Sequence, residues 1–282
     1  MDLNRISRLH SYLFCDIMIS KEAEAISAKR ERIHDMKFEL GMTSVTFREK
    51  TIAEIASLAK TAGLSIMEWG ADRHVLPLDF EAVKTARIEM EKNGLYCSSY
   101  GSYYRMIEKD EDAFRAICKT SEALGAGIVR TWLGRTGSER VTPERYAELL
   151  EETKKLADIA AEYGQTLAFE FHGKTLNDNG ESSVRFLTDC AKENVKTYWQ
   201  PLSYSDNEKN LSLVLPHLCA VHVFAWDDEH RRYPLADGTQ AWKKYLQILK
   251  DADISTKLIM EFVKDDTAEQ FLTDAAVLKE WI

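Results

Sequence analysis

Thr166-Leu-Ala-Phe-Glu-Phe-His172 is the stretch from which the rest of the chain can be read. Side chains alternate along an extended segment, so Leu167, Phe169 and Phe171 share one face and Ala168, Glu170 and His172 the other. The large apolar set suits a layer between a sheet and its covering helices. Glu170 and His172 then face the axis of a barrel near its mouth. Ahead of this strand lies a long amphipathic helix over 143–163, with Thr142 as its N-cap and Pro143 in the first turn. Gly164 separates the two.

The same alternation runs outward in both directions. Strands are predicted over 38–46, 64–70, 95–101, 127–132, 166–172, 195–200, 219–226 and 256–263. Helices are predicted over 52–62, 80–93, 112–124, 143–163, 182–193, 207–215, 242–252 and 268–282, several of them stopped by glycine, as at Gly63, Gly94 and Gly125. Eight strands alternating with eight helices, with short turns before strands and longer loops after them, predict an α/β (β/α)8 TIM barrel over 37–282. An open doubly wound sheet shares this period, but no GxGxxG follows the first strand. The longest loops after strands, 71–79, 173–181 and 227–241, would sit on the catalytic face.

Residues 1–36 form an N-terminal extension, helical or disordered, that lacks the strand–helix rhythm. Two readings of 1–35 stand open: translated from an upstream start with Met36 as the natural one, or a frayed helix packed on the base of the barrel. They carry no usable signal peptide.

The chain has 282 residues, 45% hydrophobic and 29% charged, as expected of one large globular domain. A net charge of −9 makes nucleic acid and anionic lipid poor partners. The five cysteines, Cys15, Cys97, Cys118, Cys190 and Cys219, show no CxxC spacing. They read as reduced thiols and, with no apolar run of membrane-spanning length, point to a cytoplasmic protein.

Strand parity selects the chemistry. Late in four successive apolar runs stand Glu170, Gln200, His222 and Glu261, one polar residue per strand. Singly, each has an ordinary explanation, such as a carboxylate pairing with Arg130 or Lys264, or a satisfied core histidine. Together, two converging carboxylates would be costly to bury unless a cation lay between them. A divalent metal removes that cost and accepts imidazole and amide-oxygen ligands.

Phe169-Glu-Phe-His172, Trp199-Gln-Pro201, Val221-His-Val-Phe224 and Met260-Glu-Phe262, with Met67-Glu-Trp-Gly70 and Ser99-Tyr-Gly-Ser-Tyr-Tyr-Arg105 upstream, resemble the xylose isomerase-like TIM barrel superfamily of sugar and sugar phosphate isomerases and epimerases. The resemblance implies glutamate ligands at Glu170 and Glu261 and a histidine ligand at His222. The family usually has an aspartate on the sixth strand, and Gln200 departs from it. An amide oxygen binds a hard cation without adding charge, so weaker retention and stronger Lewis acidity are expected of Mn, Mg, Co or Zn there. The implied function is a metal-dependent isomerase or epimerase of a sugar or keto-sugar, in which Glu170 and Glu261 move a proton through an enediolate. A lyase performing β-elimination on a keto-glycoside, an abasic-site endonuclease-like hydrolase and a non-catalytic sugar-binding barrel are the alternatives. Glu68, His74, Tyr104, Arg130, His172, Lys174, Trp226 and Arg231 are candidate substrate-binding residues, with Tyr103, Arg105 and Trp132 nearby. No glycine-rich turn follows the seventh or eighth predicted strand, which favours an unphosphorylated substrate. A homodimer or tetramer is expected of the family.

Overall fold

In the computed structural model, which describes residues 37–282, every predicted apolar run overlaps a strand, although the third strand runs on to Arg105, past its predicted end at 101. The N-terminal extension, with both readings of 1–35 and Cys15, lies outside the described residues. The strands are β1 (Phe38–Thr43), β2 (Ile66–Gly70), β3 (Tyr96–Arg105), β4 (Ile128–Trp132), β5 (Thr166–Phe169), β6 (Val195–Trp199), β7 (Leu218–Val223) and β8 (Thr256–Met260). All are parallel and bonded in sequence order, and β8 closes on β1, so the sheet is a barrel and not an open, doubly wound one.

Each strand is followed by a helix: α1 (Ile52–Thr61), α2 (Phe80–Asn93), α3 (Glu111–Leu124), α4 (Pro143–Glu162), α5 (Gly180–Cys190), α6 (Asn207–Val214), α7 (Thr239–Asp251) and α8 (Ala268–Trp281). Their starts are set by local chemistry. Thr51 and Glu54 form a reciprocal capping box on α1, and Thr142 accepts from Arg145 N ahead of Pro143 on α4. Gly94 and Gly125 end α2 and α3 with φ of 65° and 77°, a conformation that favours glycine.

The core has two layers, as strand alternation requires. Outward-facing side chains pack under the helices, as where Phe169 of β5 meets Phe186 of α5 edge to face at 6.0 Å. Inside the barrel, Ile66, Ile128, Ala168, Tyr198, Ala220 and Ile259 form a separate apolar cluster. Gly41 of β1 keeps this layer open to β2, since a Cβ there would lie 2.3 Å from Ile66 Cγ1. The four described cysteines are free thiols. Among the described residues no helix is long and apolar enough to cross a membrane.

Several strands stop short of their predicted ends. β5 ends at Phe169, β6 at Trp199 and β8 at Met260, so Glu170, Gln200 and Glu261 are each the first residue past a strand. The ladder nevertheless continues one bond further, from Glu170 N to Thr131 O (2.9 Å) and from Glu261 N to Val223 O (3.0 Å). Those residues are held by the sheet but point into its mouth.

Candidate metal centre at the barrel mouth

Two positions along from the six residues of the inner apolar cluster stand Glu68, Arg130, Glu170, Gln200, His222 and Glu261. Residues i and i+2 of a strand share a face, so this polar tier sits about 6.6 Å above the apolar one, at the C-terminal ends of the strands. None of the six is more than 6% exposed. Buried charges at such density require internal partners.

Arg130 supplies one. Its Nε donates to Glu68 Oε1 at 3.0 Å, and its Nη1 donates to Glu170 Oε2. Ser99 Oγ and Tyr198 Oη donate to the other Glu68 oxygen, at 3.0 and 2.9 Å. Trp132 Nε1 donates to Glu170 Oε2 at 2.6 Å. Burial works against the charges of Glu68 and Glu170, but the Arg130 guanidinium, with His222 behind it, holds both carboxyl groups below the usual range. Gly101 makes room for this ion pair, because a Cβ there would meet Arg130 Nη2 at 2.5 Å.

Beside this pair, ligand atoms of Glu170, His222 and Glu261 all lie within 4.8 Å of one another. His222 Nδ1 is 3.0 Å from Gln200 Oε1 and 3.3 Å from Glu261 Oε2. Its Nε2 faces Glu68 Oε1 at 3.5 Å, an ion-pair distance with no well-aimed hydrogen bond.

This donor set fits a divalent cation. One imidazole nitrogen faces two oxygens, and three sets of lone pairs converge unless a proton or cation lies among them. Without a metal the burial of His222 disfavours its charge, yet Glu261 and Glu68 push its pKa up to about 10. The positive charge the site demands would then be a proton. A carboxylate beside the second imidazole nitrogen, as Glu68 is here, is the usual way of fixing a metal-binding histidine. The charge count agrees: Arg130 cancels one of three glutamates, leaving the two negative charges that a divalent ion balances. Glu68 thus provides the third carboxylate, although residue 200 is an amide.

Around the cluster, Trp132 stacks on His172 with ring centroids 4.8 Å apart, and the Arg105 guanidinium lies 3.6 Å over the Trp132 ring. Arg130 lies 5.6 Å over the ring of Tyr103. A cavity of about 810 Å³ opens on the β5–β7 side and is lined by His172, Lys174, Gln200, Phe224 and Trp226, among others.

Three residues expected at the substrate lie elsewhere. Tyr104 is buried against Phe114, and its hydroxyl donates to Asp110 O (3.2 Å) and accepts from Asp110 N (2.9 Å). Tyr103 has φ 59° and shifts the strand register there, which turns Tyr104 into the outer core. His74 is also buried, with Nδ1 3.1 Å from Ser44 Oγ and Nε2 3.0 Å from Lys50 O. Arg231 is exposed and tied to Asp227 at 2.7 Å, away from the cavity lining. Glu68 and Arg130, expected as substrate ligands, are bonded to each other and to the cluster, although Arg130 Nη2, 3.0 Å from Glu68 Oε1, makes no well-aimed hydrogen bond. The roles of Ser99, Tyr198 and Trp132 as hydrogen-bond donors to the glutamates were not anticipated. For Tyr198 a signal existed, since it shares the face of Gln200.

The sequence matches the family profile described as xylose isomerase-like TIM barrel over residues 56–281. The chain belongs to that family. No curated protein matches it significantly in sequence. Among solved structures, this xylose isomerase-like barrel is similar to a probable 3-DHS dehydratase from Bacillus anthracis, at TM-score 0.73 and 14% identity, over 86% of this chain and 98% of that one. It is similar to a D-allulose 3-epimerase from Methylomonas sp., at TM-score 0.70 and 16% identity, over 87% and 98% of the two chains. A xylose isomerase-like TIM barrel protein from Mycobacterium smegmatis in complex with magnesium aligns at TM-score 0.67 and 14% identity, over 86% and 96%. At these identities the likeness is one of fold.

Proposed function

We propose that this xylose isomerase-like barrel is a divalent-metal-dependent isomerase or epimerase of a sugar or keto-sugar. The observation that carries the reading is the convergence of Glu170, His222 and Glu261 within 4.8 Å, with Gln200 Oε1 on the same imidazole nitrogen. Glu170, Gln200, His222 and Glu261 would hold the metal. A bound divalent ion supplies Lewis acidity toward a substrate carbonyl and its neighbouring hydroxyl. The chain's own residues do the remaining work. Glu170, kept ionised by Arg130 and oriented by Trp132, takes a proton from the carbon next to the carbonyl, and Glu261 returns one. Return to the opposite face of the same carbon is epimerisation, and return to the adjacent carbon is isomerisation. His172, stacked on Trp132 beside Glu170, would flank the reacting sugar, with Lys174 and Trp226 farther out along the substrate. The partner this requires is a small carbohydrate, with no role for nucleic acid or membrane.

A lyase reading shares the first proton transfer and differs only in what leaves afterwards. The fold relatives include proteins named as epimerases and one named as a probable dehydratase, so both outcomes belong in the test. The experiment is solvent-deuterium exchange over a panel of ketoses and keto-glycosides with Mn²⁺, followed by mass and NMR. Deuterium in a rearranged sugar supports the isomerase or epimerase, and loss of a substituent supports the lyase. Exchange that survives both Glu170→Gln and Glu261→Gln removes these residues from the proton-transfer role.

A further inference from the structure

The mouth cavity is larger and more one-sided than a single sugar ring calls for. Its volume of about 810 Å³ lies in the upper part of the range of roughly 300–1,000 Å³ found for drug-sized ligands. It begins at Gln200 and His172, beside the metal cluster, and runs outward over the loops after β6 and β7 to α7. Nearly all of its lining comes from the β5–β8 half of the barrel.

The chemistry of its walls is mixed in a specific way. Phe224, Trp226, Tyr204 and Tyr233 offer ring faces. Phe224 and Trp226 are already tilted together at 4.6 Å, whereas Tyr204 is 83% exposed and meets no other ring among the described residues. Such rings suit the apolar faces of sugar or aryl rings. The charged lining consists of Glu139, Asp178, Asp228 and Asp237 against the ammonium of Lys174. Lys174 has no ion-pair or hydrogen-bond partner for its ammonium among the described residues, and its backbone at φ 64° carries it onto the cavity wall. Glu139 is paired with Arg140 at 3.6 Å, and the remaining three carboxylates against one ammonium still repel a phosphorylated ligand, while hydroxyl groups can both donate to the carboxylates and accept from Lys174.

We infer that the substrate is a neutral glycoside of at least two rings: one sugar ring reacts at the Glu170–His222–Glu261 cluster and the second lies in this cavity. This rests on the function proposed above and specifies its substrate class. Second-ring recognition uses side chains that are not metal ligands, so the two can be tested separately.

The test measures binding by calorimetry with and without Mn²⁺, using D-fructose, fructose 6-phosphate and the neutral ketose disaccharides lactulose, turanose and palatinose. At least one disaccharide should bind ten-fold or more tightly than fructose in both conditions, and fructose 6-phosphate most weakly. Ala241→Trp, which places a large ring in the cavity, should erase the disaccharide advantage. If fructose matches every disaccharide, if fructose 6-phosphate binds best, or if the advantage survives Ala241→Trp, the inference is overturned. Failure of Mn²⁺ to shift thermal stability would overturn the metal-dependent function instead, and the disaccharide comparison without metal would still decide the cavity's ligand.

Discussion

The indole N–H of Trp132 donates to Oε2 of Glu170 at 2.6 Å, the same oxygen that accepts from Arg130. No described side chain donates to Oε1. One oxygen is thus held by two side-chain donors and the other by none among the described residues. Trp132→Phe removes one donor but keeps a ring between Arg105 and His172. The freed carboxylate can then turn away from the substrate, so exchange catalysed through Glu170 should slow; a hydrogen bond to a charged group contributes about 1.5–3 kcal/mol, which bounds the loss at about hundred-fold. An unchanged rate with unchanged Mn²⁺ affinity would show that Trp132 does not position Glu170.

Metal binding should be visible in stability. A ligand present at a hundred times its Kd and bound only by the native state adds about 2.7 kcal/mol, or roughly 5–10 °C in Tm for a domain of this size. Treatment with chelator followed by Mn²⁺, Mg²⁺, Co²⁺ or Zn²⁺ should show such a shift for at least one ion, reduced in His222→Ala. No shift with any ion, and no metal in elemental analysis, would refute the metal centre.

Arg130 is a structural cation as well as a neighbour of the site. Arg130→Met strands the carboxylates of Glu68 and Glu170 in a dry interior and should cost about 3–5 kcal/mol in urea unfolding. Adding Glu68→Gln should restore a substantial part of that loss. If the double variant is no more stable than the single one, the pair does not act as described.

Gly101→Ala brings a methyl carbon to 2.5 Å from Arg130 Nη2. Overpacking of this kind costs about 1–3 kcal/mol, and the cost should shrink in an Arg130→Met background, where the guanidinium is gone. A double-mutant cycle measures the difference. Additive effects would mean that Gly101 is glycine for some other reason.

His74 should make stability fall in mild acid. Lys50 O can only accept, so Nε2 carries the hydrogen there, and the Ser44 hydroxyl donates to an unprotonated Nδ1. Burial first, then Arg73 and Arg48, lowers the His74 pKa below its ordinary 6.5, against the opposing pull of Lys50 O and Asp72. Below pH 6.5 the unfolded chain therefore binds this proton more readily than the native one. The contribution is complete above that pH and is lost as pH falls through the lower, folded value. Between about pH 7.5 and 5, Tm should fall less steeply in His74→Gln than in the parent, and equal slopes would count against this role for His74.

Much of this protein is written in local periodicity. Because strand side chains alternate, Ala168 and Glu170, Ala220 and His222, or Ile259 and Glu261 must share a face whatever the fold around them. Eight such runs separated by helices predict the barrel, and the pairing of β8 with β1 decides it against an open sheet of the same period. The same parity places Gln200 beside Tyr198 and Glu68 above Ile66, so the composition of the polar tier is legible from sequence.

Tertiary structure decided which members of that tier are bonded to one another. Arg130 on β4 reaches Glu170 past the neighbouring β5 and, across β3, Glu68 on β2, because the curl of the sheet turns those strand ends toward one axis; the sequence offers a carboxylate partner for Arg130 but not this second bond. Closure also turns Glu68 into a partner of Arg130 and His222, so an amide at position 200 leaves the charge balance intact. Where the backbone leaves the regular strand conformation, parity stops carrying information. Tyr103 at φ 59° sends Tyr104 into the core, and the loop after β2 folds His74 onto Ser44 and Lys50. Side-chain alternation is a property of a few consecutive residues, whereas pairing of buried charges depends on which distant strand ends meet.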